Sequence, residues 1–273
     1  MTALKSFHSL KSEILEELNK FQHLISNSPF TKGMYENDLT ETVEGLKTDK
    51  FILAVVGVIK RGKSTLLNAL MRAEKDILAT NVTPETARLA FLNYSTQPFA
   101  IVHMKDGSKE KIEIDELPRY TSAYDTPSAR GEKSKVEKTI YSEIYFPNPL
   151  LHQDICIVDT PGVDDPDPER SNVTLDFIHR ADAVIFMIDV SEGGLKASEL
   201  GFLSSKIMGS KGLPKGVVIA CNKVSQLRRH QRAQLEPLIE NTKETVRNKF
   251  GVNIPVLKID ALDAVNGFRQ NDQ

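Results

Sequence analysis

Along the first quarter of the chain the apolar residues keep a helical beat. Leu4, Phe7, Leu10, Ile14, Leu18, Phe21 and Leu24 or Ile25 recur three or four apart between Thr2 and Ser26, with Lys and Glu in the gaps, which predicts an amphipathic helix. Its polar face mixes acids with bases, so it is expected to pack against protein rather than lie in a membrane surface. Asn27-Ser28-Pro29 ends it, and Tyr35, Leu39, Val43 and Leu46 predict a second, shorter helix closing before Asp49. The pattern then changes. Phe51 to Val56 is a continuous, β-branched apolar run, as expected of a strand covered on both faces in a parallel sheet. Ser64 to Leu70 returns to helix, with Leu66, Leu67 and Leu70 facing inward.

Thr86 to Tyr94 reads as a strand, and Phe99–Met104, the turn Asp106-Gly107-Ser108 and Ile112–Ile114 as an antiparallel hairpin. Leu117 to Lys135, rich in Pro, Ser, Thr and charge, reads as a surface insertion, and the alternation over Ile140–Phe146 as a sheet-edge strand. The second half alternates buried strands at Ile155–Val158, Ala183–Ile188, Gly216–Cys221 and Ile254–Ile259 with helices at Leu175–Arg180, Ala197–Met208 and Gln234–Lys249, and ends with the start of a further helix. That rhythm predicts an α/β fold, a mostly parallel sheet with helices on both faces and a ligand at the carboxyl ends of the strands.

Between the first buried strand and its helix, Gly57, Gly62, Lys63 and Ser64 satisfy G-x-x-x-x-G-K-[ST]. A di- or triphosphate brings several negative charges against the backbone. Glycines permit that approach, the loop and helix N–H groups point at the oxygens, Lys63 adds a charge, and the Ser64 hydroxyl suits Mg²⁺. Asp159 and Gly162 form D-x-x-G at the end of a second buried strand, where an Asp supports the metal and a glycine N–H meets the γ-phosphate. Thr80, Thr83 and Thr86 are candidates for a residue that closes over the metal.

Composition narrows the partners. The 273 residues carry a net charge of −2, which leaves no basic footprint for nucleic acid. Cys156 and Cys221 sit inside strand-like runs and are expected as buried thiols in a reducing compartment. With no apolar leader and no uncharged run of about 18 residues, the chain is expected to be cytoplasmic, at most peripheral to the inner face of a membrane.

The phosphate loop with Lys60-Arg61 before its second glycine, followed by LLNAL, ILATNVTPETA and VDTPGV, resembles the GTPase domain of the dynamin superfamily, and most the bacterial dynamin-like proteins. The resemblance runs over residues 50 to 265. It implies a P-loop NTPase fold over 50–273 and a helical neck or bundle part over 1–49. It also implies hydrolysis of GTP to GDP and phosphate with Mg²⁺, and homodimers formed through nucleotide-bound GTPase heads. The nucleotide contacts carried over are Gly57, Lys60, Arg61, Gly62, Lys63, Ser64, Thr65, Asp159, Gly162, Asn222 and Lys223. Ser64, Thr86 and Asp159 would serve the metal, and Lys60 and Thr86 would be catalytic, Lys60 as a point charge near the β–γ bridging oxygen. Membrane remodelling is implied through regions that follow the head in that family, and on that resemblance this chain is expected to be a truncation of something longer.

One motif departs. Asn222-Lys223-Val224-Ser225 has serine where the family carries an aspartate that accepts from both N1–H and the 2-amino group of guanine. Losing a charged acceptor costs about 1.5–3 kcal/mol, roughly ten- to over a hundredfold in selectivity. Asp260-Ala261-Leu262 falls near the family's final base-contacting loop. The alternative function is a nucleotide-gated scaffold with weak or absent hydrolysis and relaxed base selectivity.

Overall fold

The computed structural model describes residues 2–27, 36–80, 88–121, 135–162, 175, 177–208 and 216–271. Two helices, α1 (Thr2–Asn27) and α2 (Glu36–Thr48), precede the first strand. The strands are β1 (Phe51–Val56), β2 (Leu89–Tyr94), β3 (Phe99–Met104), β4 (Lys109–Ile112), β5 (Thr139–Phe146), β6 (Ile155–Asp159), β7 (Ala183–Asp189), β8 (Gly216–Asn222) and β9 (Val256–Lys258). They form one sheet in the order β4-β3-β5-β2-β6-β1-β7-β8-β9. Pairing is parallel from β6 through β1, β7 and β8 to β9, and again between β2 and β5. It is antiparallel where β2 meets β6 and where β3 meets β4 and β5.

The apolar run of β1 is explained by what lies above and below it. Val55 belongs to a core with Leu67, Leu92 and Ile157, while Ala54 and Val56 belong to another with Phe186, Ile188 and Ile219. A strand flanked by two cores has no face left for polar residues. The first core is closed by α3 (Lys63–Met71), and the second contains Leu203, Ile207, Ile239 and Val246. Leu203 and Ile207 follow α4 (Ala197–Phe202), whose last turns widen into a π-helix over Leu203–Ile207, and Ile239 and Val246 lie on α5 (Leu235–Phe250).

Three expectations are corrected. β5 lies inside the sheet, between β3 and β2. Its alternating polar residues are matched by neighbours instead of water: Glu143 reaches His103 at 2.8 Å, Tyr145 donates to Glu143 at 2.7 Å, and Tyr145 stacks on Phe99. The region expected as a surface insertion begins in the core, because Leu117 and Tyr120 lie three apart on one side of a short helical turn and are 1% and 2% exposed; its remainder, 122–134, lies outside the described residues. The helix that the sequence only begins is α6 (Ala261–Asn271), docked on the end of α3 by Arg72 over the Phe268 ring and by Arg269 on Asp76.

The stripe on α1 divides. Ile25 is buried, and Lys11 is buried with its ammonium donating to Lys47 O, Asp49 O and Asp154 Oδ2 at 3.1, 2.7 and 3.1 Å. Leu10, Ile14, Phe21 and Leu24 are exposed. Among the described residues no helix is long and apolar enough to cross a membrane. Both cysteines are buried and unpaired.

Candidate functional site

The carboxyl ends of β1, β6, β7, β8 and β9 meet at one edge of the sheet, and the loops that leave them build the site. After β1 the chain turns through Gly57, where a Cβ would stand 2.7 Å from the Met187 carbonyl oxygen, so only glycine lets the loop leave this close to β7. Lys60 is exposed in the left-handed region at φ 65. A lysine there carries about 1–2 kcal/mol of backbone strain, held at the mouth of the cleft. Gly62 takes φ 89, and a Cβ on it would strike Asn222 Nδ2 at 2.4 Å.

α3 opens at Lys63, so its unpaired N-terminal N–H groups face the cleft lined by Lys60, Gly62, Ser64, Thr65, Asp159 and Gly162. The Lys63 ammonium donates to Gly57 O at 2.9 Å and Val58 O at 3.1 Å, which holds the charge over the loop. Ser64 Oγ donates to Asp159 Oδ2 at 2.7 Å. Asp159 is buried at 8% exposed, and its Oδ1 has no hydrogen-bond partner among the described residues. Burial drives its pKa up to about 6 against the opposing pull of Lys63 and Ser64. A hydroxyl beside a carboxylate with an unpaired buried oxygen is a donor set that fits a hard divalent cation. Thr160 donates to Val55 O at 2.9 Å and so fixes the start of the D-T-P-G turn against β1.

On the base side Asn222 is a brace. Its Nδ2 donates to Arg61 O at 2.8 Å and its Oδ1 accepts from Ala261 N at 3.0 Å, tying the phosphate loop to the loop after β9. Lys223, at φ 67, pairs with Asp189 at the end of β7. The Arg61 side chain turns away from the cleft: Nε donates to Glu199 Oε1 at 2.9 Å and a terminal nitrogen to Glu192 Oε2 at 2.7 Å, leaving the guanidinium 4% exposed. Only its backbone faces the loop, so a nucleotide contact from Arg61 would have to come through the main chain. Thr86 and Thr83 fall in 81–87, outside the described residues, and Thr80 is exposed at the cleft.

Several residues at the site were not singled out from sequence. Asn68, one turn and a half into α3, donates to Leu78 O at 2.8 Å and accepts from Ile77 N and Leu78 N at 3.1 and 2.9 Å. It staples the entry of the threonine-bearing loop to the phosphate helix. Asp189, Glu192 and Glu199 form the acidic shell of Arg61 and Lys223. Asparagine within L-L-N-A-L was the one available signal, since a polar residue on the buried side of a helix demands partners.

The sheet order, the phosphate loop and the serine–aspartate pair at its mouth define a P-loop nucleotide-binding domain. A family model described as the dynamin family matches residues 53–211, more than half of the chain, and the chain belongs to that family. A bacterial dynamin-like protein of Nostoc punctiforme is 30% identical over 190 residues, covering 66% of this chain and 27% of that protein. Dynamin-like protein 2 of Campylobacter jejuni is 32% identical over 197 residues, covering 71% of this chain and 29% of that protein. A solved structure of an oligomerised bacterial dynamin pair, described as a mechanism for long-range sensing and tethering of membranes, matches with TM-score 0.64 at 24% identity, over 96% of this chain and 47% of its own. At that identity the match speaks for the fold. The chain spans less than a third of the length of the two curated relatives.

Proposed function

We propose that residues 50–273 are the GTPase head of a dynamin-like protein, hydrolysing GTP to GDP and phosphate with Mg²⁺, and that residues 1–49 are part of a helical neck. The observation that carries the reading is the Ser64–Asp159 pair with the unpaired Asp159 Oδ1 beside the phosphate loop. Ser64 and Asp159, together with Thr86, would hold the metal, which neutralises charge on the β- and γ-phosphates when bound. Lys63 and the loop N–H groups hold the phosphates, Gly162 reads the terminal one, and Thr86 orients the attacking water. Lys60, at the rim, adds positive charge near the bridging oxygen when two heads face each other across the nucleotide. Positioning and electrostatics suffice for this reaction, so no carboxylate base is needed. The exposed Leu10, Ile14 and Phe21 on α1 support a bundle completed by further chain. Membrane remodelling by the whole protein and a cytoplasmic, membrane-peripheral location rest on the family.

Phosphate release with GTP and Mg²⁺, measured over a range of protein concentrations for the wild type, Lys60→Ala and Lys63→Ala, tests this. Specific activity should rise with concentration in the wild type, stay low in Lys60→Ala, and vanish with nucleotide binding in Lys63→Ala. Flat, near-zero turnover with retained binding would leave the nucleotide-gated scaffold.

A further inference from the structure

Guanine is distinguished from adenine by two adjacent donors, N1–H and the 2-amino group, and a carboxylate accepts both at once. Position 225, where that carboxylate is expected, holds an exposed serine. Its surroundings contain what it lacks. β8 and β9 run parallel with Cys221 opposite Lys258, so the loops leaving their carboxyl ends lie side by side. Asp260, the second residue beyond β9, accepts the Ser225 N–H on Oδ2 at 2.7 Å and the Asp263 N–H on Oδ1 at 3.0 Å. Next to it, Ala261 N donates to Asn222, and Asn222 donates to the phosphate loop at Arg61 O. Asp260 therefore sits one hydrogen bond from residue 225, on a frame tied to the loop that holds the phosphates.

We infer that Asp260 is the specificity residue for the base: its carboxylate, delivered from the end of β9, reads N1–H and the 2-amino group of guanine, and Ser225 serves as the donor that holds it in place. This rests on the nucleotide-binding reading above. The geometry leaves the acceptors available, since each carboxylate oxygen takes one donor from the protein's backbone and carries a second lone pair. The charge is available as well. Burial raises the pKa of Asp260, but the N–H groups of Asp263 and Ser225 that bond its two oxygens outweigh it and hold the group below the usual carboxylate range. The competing role is purely structural, an N-cap for α6. An asparagine caps a helix about as well as an aspartate, so Asp260→Asn keeps the Asp263 cap, gives up the bond from Ser225 N–H where the amide nitrogen replaces Oδ2, and shows the base one acceptor and one donor, the complement of xanthine's N1–H and 2-carbonyl.

The experiment is calorimetric titration of the chain, with Mg²⁺, by GDP, IDP, XDP and ADP. The wild type should prefer GDP over ADP by ten- to a hundredfold, and over IDP, which lacks the 2-amino group, by about tenfold. Asp260→Asn should lose GDP affinity by a similar factor and gain XDP, reversing the order. Should the variant fail to fold, the wild-type GDP/IDP ratio still decides, since equal affinity for the two overturns the assignment. A variant that weakens GDP and XDP alike, or neither, makes Asp260 a cap and overturns it too. Equal binding of GDP and ADP by the wild type overturns it while leaving the phosphate site intact. Binding of none of the four overturns the nucleotide reading itself.

Discussion

Removing the Asn68 amide should loosen the loop that carries the threonines without touching the phosphate site. Asn68 is 2% exposed and is the partner of three backbone groups, Ile77 N, Leu78 N and Leu78 O, at 2.8–3.1 Å. Each buried backbone group left unpaired costs about 1–3 kcal/mol, less whatever the segment recovers by shifting toward water. Ile77 and Leu78 are themselves 5% and 6% exposed, so recovery means pulling two apolar side chains out of the core. Asn68→Ala should therefore lose about 3 kcal/mol, a large share of the 5–15 kcal/mol that holds an ordinary domain. Asn68→Asp keeps both acceptor bonds but sets a carboxylate oxygen against Leu78 O, and should lose a comparable amount. Urea unfolding with an unchanged m-value reads the stability, and hydrogen exchange at the Ile77 and Leu78 amides reads the site. Turnover should fall more than GDP affinity, because Asn68 sets the loop and does not line the cleft. A loss under about 1 kcal/mol, with Ile77 and Leu78 exchanging no faster than before, would refute the staple.

Two further outcomes follow from distances already given. Gly62→Ala sets a Cβ 2.4 Å from Asn222 Nδ2 at a φ of 89, so it should cost about 2–3 kcal/mol by strain and a broken brace; thermal unfolding with calorimetry should find lower stability and GDP affinity together, and unchanged stability would remove Asn222 from the brace. Glu192 is held at about 2 by Lys196 and by Arg61, below its ordinary 4.5. A carboxylate depressed on folding stabilises above its unfolded value and loses that contribution as pH falls from 4.5 towards 2. With the side chain 47% exposed, the contribution is screened to about 1 kcal/mol. Glu192→Gln should flatten the acid limb by that amount in unfolding curves taken across this window; a limb as steep as the wild type's would mean the pair adds nothing.

How much of this was legible in the chain depended on how local each signal was. β1, β6, β7 and β8 are central strands covered on both faces, so their runs of apolar residues announced them, and the phosphate loop followed from spacing alone. β5 deceived because alternation marks a half-wet strand only when the polar side faces water; here Glu143 and Tyr145 face His103 and Phe99. Leu117 and Tyr120 were hidden by polar company, although they lie deep in a core. The arginine before the second glycine read as a phosphate ligand by resemblance, but its partner Glu199 lies 138 residues away, and no local pattern carries that distance. The same holds for Asp260, which meets Ser225 across 35 residues.

The buried ammonium of Lys11 has a mechanical consequence. Its acceptors precede β1, at Lys47 and Asp49, and β6, at Asp154. Those are the rear ends of the two strands whose front ends carry the phosphate loop and Asp159. The helix it belongs to has 26 residues, about 39 Å of rod at 1.5 Å per residue. Measured from Lys11, the arm toward Asn27 is about 24 Å long, so a tilt of about 10° at the pin swings its tip by about 4 Å. Pinned in this way, α1 has the geometry of a lever: any slip of β1 against β6 would be magnified into a larger displacement at its far end.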